Sequence, residues 1–262
     1  MKNVYFASDF HLGRDSLHTS AEREVLICQW LQDIKTTAEK IYLVGDLFDY
    51  WYEYRRVIPR GNDLFKSTLL QLRREGIPIE IFTGNHDLWM GDYFEQDLDI
   101  RVHKNPITVQ HHNKSIHIGH GDGLGPGDHG YKFLKSIFSN RLCQWAFSRL
   151  HPNFALAFMD FCSKLGDKNQ TERDRFVSFD QEWLVQFVET NHKSLNCDYY
   201  LYGHRHIPII YDLSTGNSTY YNIGEWMNQY TYGVLENGEL SLKQHIRQDI
   251  EIYSNRPNKN RL

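Results

Sequence analysis

Five short polar motifs, each placed where a β-forming run ends, constrain this chain more than any other feature. They are Asp9-Phe10-His11, Gly45-Asp46, Gly84-Asn85-His86-Asp87, Gly119-His120-Gly121-Asp122 and Gly203-His204-Arg205-His206. The runs before them, Asn3–Ala7, Lys40–Val44, Pro78–Thr83, Ser115–Ile118 and Asp198–Tyr202, are short and rich in Val, Ile, Tyr and Phe. Such runs read as buried strands. Four motifs open with Gly, which lets the backbone turn sharply and come close to a bound group.

Helical periodicity fills the gaps between the first three strands. Thr19-Ser20-Ala21-Glu22 has the capping-box pattern, and Val25, Leu26, Trp30, Leu31 and Ile34 follow at helical spacing. A second helix is expected from about Asp63 to Glu75, with Leu64, Phe65, Leu69, Leu70 and Leu72 as its apolar side, stopped by Gly76 and Pro78. Strand, helix, strand, helix, strand implies parallel pairing through right-handed crossovers. Sites in such sheets form beyond the carboxyl ends of the strands, where every motif lies.

The motifs supply two carboxylates (Asp9, Asp46), one amide oxygen (Asn85) and four imidazoles (His11, His120, His204, His206). Oxygen and imidazole donors without thiolates suit Mn²⁺, with Fe or Zn as alternatives, and not Cu(I) or an iron–sulfur cluster. Two divalent ions can share such a set with one carboxylate between them. A pair of that kind generates a nucleophile at neutral pH and clamps the oxygens of an in-line displacement at phosphorus.

Downstream, Ile209–Asp212, Ser218–Ile223, Tyr230–Leu235 and Leu240–Lys243 read as strands, with turns at 215–217 and 236–238. They are expected to form a meander, a second sheet packed on the first. The fold class is then α/β, a four-layer α/β/β/α sandwich, in a single domain spanning residues 1–262. A net charge of −4 argues against a nucleic-acid surface. No apolar run approaches the roughly 18 residues of a membrane span, and no signal-peptide pattern opens the chain. The cysteines, Cys28, Cys143, Cys162 and Cys197, are scattered and read as free thiols in a reducing compartment, which points to the cytoplasm.

The five motifs in this order resemble the calcineurin-like metallophosphoesterase superfamily. Gly45-Asp46-Leu47-Phe48-Asp49-Tyr50-Trp51, and His120-Gly121-Asp122 with Asp128 and Tyr131, resemble a narrower branch, the UDP-2,3-diacylglucosamine diphosphatases of lipid A synthesis. The resemblance implies that Asp9, His11 and His206 hold one metal and that Asn85, His120 and His204 hold a second, with Asp46 bridging. It places His86 beside the scissile phosphate as proton donor or charge stabiliser. Asp87 and Asp122 would orient histidines. The implied substrate is a nucleotide-sugar lipid, met at the cytoplasmic face of the inner membrane through peripheral contact, with no nucleic-acid or protein partner. One departure stands out: that branch carries Arg where this chain has His86, whereas the wider superfamily has His.

A helical insertion at about 126–170 interrupts the strand pattern. Phe133, Leu134, Ile137, Phe138, Leu142, Trp145, Phe154, Phe158 and Phe161 give it more apolar surface than a crossover needs. Lys132, Lys135, Arg141, Arg149, Lys164 and Lys168 are interleaved. It reads as a lid holding acyl chains, with Lys164 and Lys168 toward phosphates, or as a hairpin that only covers the core. Trp51, Tyr52, Tyr54, Arg55 and Arg56 line a substrate mouth or cap a loop. His111, His112 and His117 read as surface or strand-edge residues. Two further functions stay open: a general phosphoesterase acting on cyclic nucleotides, phosphomonoesters or phosphoproteins, and a non-catalytic metal-stabilised scaffold.

Overall fold

The structure is a computed structural model describing residues 2–126, 129–138, 140–155, 157, 159 and 175–256. Strands β1 (Asn3–Ala7), β2 (Ala38–Val44) and β3 (Ile79–Phe82) pair in parallel, joined by helices α1 (Ser20–Ile34) and α2 (Asp63–Arg74). A short helix α3 (Tyr93–Leu98) and strand β4 (Arg101–His103) extend this sheet beyond the expected elements. The capping box at Thr19 forms as expected, with Glu22 reaching back to the Thr19 amide.

The second sheet begins with the antiparallel pair β5 (Ile107–His111) and β6 (Lys114–Ile118). Strand β7 (Tyr199–Tyr202) pairs in parallel with β6 and with β9 (Thr219–Ile223), which pairs antiparallel with β8 (Pro208–Asp212). The expected C-terminal meander is not one unit. Strands β10 (Thr231–Glu236) and β11 (Glu239–Gln244) form a hairpin that joins the first sheet, with β10 antiparallel to β1. The segment between β9 and β10 changes sheets, because Trp226 donates its amide to Asp9 O and His245 donates to Tyr230 O. A two-residue strand β12 (Tyr253–Ser254) lies beside β8, giving the order β12-β8-β9-β7-β6-β5 against β11-β10-β1-β2-β3-β4.

Three apolar cores separate four layers. Helices α1, α2 and α3 pack on the first sheet through Trp30, Leu31, Phe65, Leu69 and Phe94. The sheets meet through Val4, Phe6, Tyr42, Val44, Leu201 and Ile223. A helix outside the sequence reading, α6 (Trp183–Leu195), covers the far face with Leu184, Val185 and Val188. Each fully buried residue of this kind contributes about 1.5–3 kcal/mol. The insertion contributes α4 (His129–Phe138) and α5 (Arg141–Phe147), helical as expected; most of its remainder to 170 lies outside the described residues. No helix among the described residues is long and apolar enough to cross a membrane.

Candidate metal centre

All the motif loops converge at the carboxyl ends of β1, β2, β3, β6 and β7. Asp9, His11, Asp46, His204 and His206 all have left-handed backbone, with φ of 56°, 44°, 50°, 69° and 54°. Non-glycine residues rarely adopt that region, and each costs about 1–2 kcal/mol. Strain of this density marks a site whose side-chain directions are over-determined by their surroundings.

Among the described residues the expected donors fall into two groups whose ligand atoms lie within 4.8 Å of one another, Asp9, His11, Asp46 and His206, and Asp46, His120 and His204; a third group at the same spacing joins His11 to Asp49 and His86. Asp46 is in the first two. Its Oδ1 accepts the amide of His86 at 2.9 Å, while Oδ2 lies 3.2 Å from Nε2 of His120 and 3.8 Å from Nε2 of His11. Asp9 repeats the arrangement. Its Oδ2 accepts the His204 amide at 3.1 Å and the Ser8 hydroxyl, and its Oδ1 faces Nε2 of His206 at 3.1 Å. The Nε2 atoms of His11 and His206 are 3.2 Å apart. Asn85 Oδ1 joins the second group, 3.3 Å from Nε2 of His120. Nδ1–H of His120 donates to Val44 O at 2.9 Å, leaving the Nε2 lone pair directed inward.

These residues fit divalent cations. Donors around an ion at about 2.1 Å sit roughly 3.0–3.4 Å apart, close to the shorter of these separations. Burial opposes a charged His120, yet Asp46 draws its pKa up to about 10, so the carboxylates attract a positive charge at the Nε2 side that a divalent ion would supply in place of the proton. His204 is pushed down to about 4 by burial and by His120. Gly84 and Gly203 allow the close packing: a Cβ on the first would strike the Asp46 backbone N and Oδ1, and on the second Ser8 and Asp9.

Several expectations shift. Asp87 bonds the amides of Leu47 and Gly84, at 2.8 and 2.7 Å, and so ties two ligand loops together instead of orienting a histidine. Burial and Asp46 raise its pKa to about 7. The carboxylate that faces two site histidines is Asp49, quoted in the sequence only as the acidic position of the family signature and given no role there: its Oδ1 is 3.6 Å from Nδ1 of both His11 and His86, and its backbone carbonyl accepts from the latter at 2.8 Å. A second acidic residue three positions after Asp46 was the available signal. Asp122 lies beside His120 and pairs with Lys135 at 2.5 Å. His86 sits at the rim, its ring 4.7 Å from that of His11. Asn85 and His204 are also partly exposed, so the opening is on their side. Trp51 and Tyr52 are core residues, packed on Phe48 and Phe94 and on Trp89 and Phe147 respectively. His117 is buried and bonded to Tyr202 OH at 2.8 Å, not at the surface. Asp128, Lys164, Lys168 and the side chain of Tyr131, expected at the substrate, lie outside the described residues.

No family model matches the chain. It is 31% identical over 253 residues to the UDP-2,3-diacylglucosamine hydrolase of Porphyromonas gingivalis, covering 92% of this chain and 96% of that protein. The enzyme of the same name from Histophilus somni is 26% identical over 229 residues, 86% of this chain and 93% of its own. Among solved structures, Vps29 of Entamoeba histolytica with Zn²⁺ matches 92% of this chain and 97% of its own at 12% identity and a TM-score of 0.40.

Proposed function

The chain belongs to the UDP-2,3-diacylglucosamine hydrolase family, and on that premise we propose that it cleaves the pyrophosphate of UDP-2,3-diacylglucosamine to UMP and 2,3-diacylglucosamine 1-phosphate. The observation that carries the reading is the Asp46 carboxylate, shared by two donor groups, one fully buried and one open at His204. Asp9, His11 and His206 would hold one divalent ion, Asn85, His120 and His204 the other, and Asp46 both; Mn²⁺ suits this set, with Fe or Zn as alternatives. When bound, the pair supplies Lewis acidity toward phosphoryl oxygens and a nucleophile at neutral pH.

The remaining work falls to side chains. His86, at the rim, is placed to give a proton to the departing oxygen or to stabilise charge on it, with Asp49 holding the ring by its Nδ1 side. The left-handed loops hold the inward donors without rearrangement during turnover. Leu142, Trp145 and Phe154 are 69%, 56% and 61% exposed, and the Arg149 guanidinium lies 5.0 Å from the Trp145 ring centroid. Exposed apolar residues beside a cation support contact with acyl chains and an anionic membrane surface, reached from the cytoplasm.

Purified protein with Mn²⁺ should be offered UDP-2,3-diacylglucosamine, UDP-N-acetylglucosamine, cyclic AMP and p-nitrophenyl phosphate. The expected result is UMP release from the diacylated substrate, with the unacylated sugar nucleotide far poorer in kcat/KM. Each CH₂ moved out of water is worth about 0.8 kcal/mol. Equal cleavage of both sugar nucleotides would replace this reading with a general phosphoesterase, to which His86 is well suited.

A further inference from the structure

We propose that Arg23, on the first turns of α1, is a positioning residue for the first metal group, acting through the loop that carries Asp9 and His11. A guanidinium has five N–H donors in a fixed fork, and here all five bond to the loop between β1 and α1. Nε donates to Phe10 O at 2.8 Å; one terminal nitrogen donates to Ser16 Oγ at 2.9 Å and His18 O at 3.4 Å; the other donates to His11 O at 2.7 Å and to Arg14 O. The side chain is fully buried, between an exposed Glu22 and a half-buried Glu24.

The backbone polar groups of this loop bond mainly in two directions, with Asp9 O and Leu12 O taken by the amides of Trp226 and Asp49. Its amides at Asp9, His11 and Leu12 bond the carbonyls of Gly45, Asp46 and Leu47, each at 3.0 Å. Its carbonyls at Phe10 and His11 turn the other way and meet Arg23. Without the guanidinium Phe10 O would lose its donor, at about 1–3 kcal/mol, and His11 O would keep only the Arg14 amide at 3.2 Å. The left-handed conformation of His11, which aims Nε2 inward, would lose its counterweight. Lysine cannot substitute, since one ammonium offers three donors from a single point.

This inference rests on the assignment of Asp9, His11 and His206 to one metal. The test is Mn²⁺ binding by isothermal titration calorimetry, on full-length wild type, Arg23→Lys and Arg23→Ala. Wild type should show two sites. Arg23→Lys should weaken one of them by roughly 10–100-fold, the usual cost of losing an outer support, and leave the other unchanged. Arg23→Ala should regain affinity for that one site when guanidinium is added far below denaturing concentrations. A wild type that binds no Mn²⁺ would sink the metal assignment itself. Two intact sites in Arg23→Lys, equal weakening of both, no rescue by guanidinium, or variants unfolded in EDTA by circular dichroism would each overturn the role given to Arg23.

Discussion

Asp9 and Asp46 each anchor one carboxylate oxygen on a backbone amide and direct the other inward. Such a group cannot be replaced by a neighbour that merely has charge. Asp46→Ala should abolish hydrolysis and lower Mn²⁺ occupancy at both sites, read by metal analysis after gel filtration; turnover near the wild-type rate would remove the dinuclear reading. His86 touches Asp46 only through its own amide, so His86→Ala should retain both metals while kcat falls by roughly 10²–10⁴-fold. Loss of metal in that variant would make His86 a ligand. Asp49→Asn keeps the shape but not the charge facing His11 and His86, and should cost about 10–100-fold in kcat/KM with the fold unchanged; an unaltered pH–rate profile and rate would show that Asp49 only packs. That Asp9, His11, Asp46, Asn85, His86, His120, His204 and His206 would come together was legible because they are ligand-type residues at strand ends. Asp49 and Arg23 were not. Their roles depend on which atoms lie opposite them, and an Arg within Ser20-Ala21-Glu22-Arg23-Glu24 reads as a solvent-facing residue until the loop folds over it.

The elements behave as supports for loops. Helix α6 does this through a buried ion pair: Glu182, just before its first turn, takes Arg205 in two bonds of 2.6 and 3.1 Å, and the guanidinium lies 4.2 Å from the Trp183 ring centroid. Arg205 stands between His204 and His206, so the helix is tied to the last ligand loop. Both side chains are only 3% exposed. Glu182→Ala would leave the Arg205 charge buried without its carboxylate, and should lower unfolding stability by about 3–5 kcal/mol. Urea denaturation in EDTA would measure it; a loss under 1 kcal/mol would mean that Arg205 finds water or another acceptor. Helices α1 and α2 and the strands before each motif were readable from spacing alone. Helix α6 carried a signal too, in Leu184, Val185 and Val188, but has no side-chain cap at Glu182 to mark its start. The hairpin β10–β11 was readable as a hairpin, with Asn237 and Gly238 both at positive φ in its turn, but not as a member of the first sheet. Strand type is local, whereas the choice of partner depends on which edge is unpaired.

Across the whole molecule the second sheet contains buried titratable groups that couple stability to pH. His117, on β6, packs against Tyr200 and Tyr202 of β7, and burial holds its pKa below the usual 6.5. The folded protein therefore resists protonation at a pH where the unfolded chain accepts it. That raises the number of protons bound by the unfolded state, so stability falls as pH drops below about 6.5 and the loss is complete below the folded value. His111 is also held low by burial, against the pull of Glu39. In EDTA, Tm should decline from pH 7 to 5, and His117→Phe should decline less steeply than wild type; parallel curves would show that His117 does not contribute. The sequence by itself determined the order of the ligand motifs, their place at strand ends, the two crossover helices and the choice of oxygen and imidazole donors, because these follow from local periodicity and residue chemistry. Tertiary structure alone decided that β1 pairs with β10, that Asp46 is shared by two donor groups, and that Arg23 bonds the carbonyls of Phe10 and His11 while Asp49 lies against His11 and His86. Those facts come from contacts between segments far apart in the chain, where packing and the need to satisfy every buried backbone group select the partner.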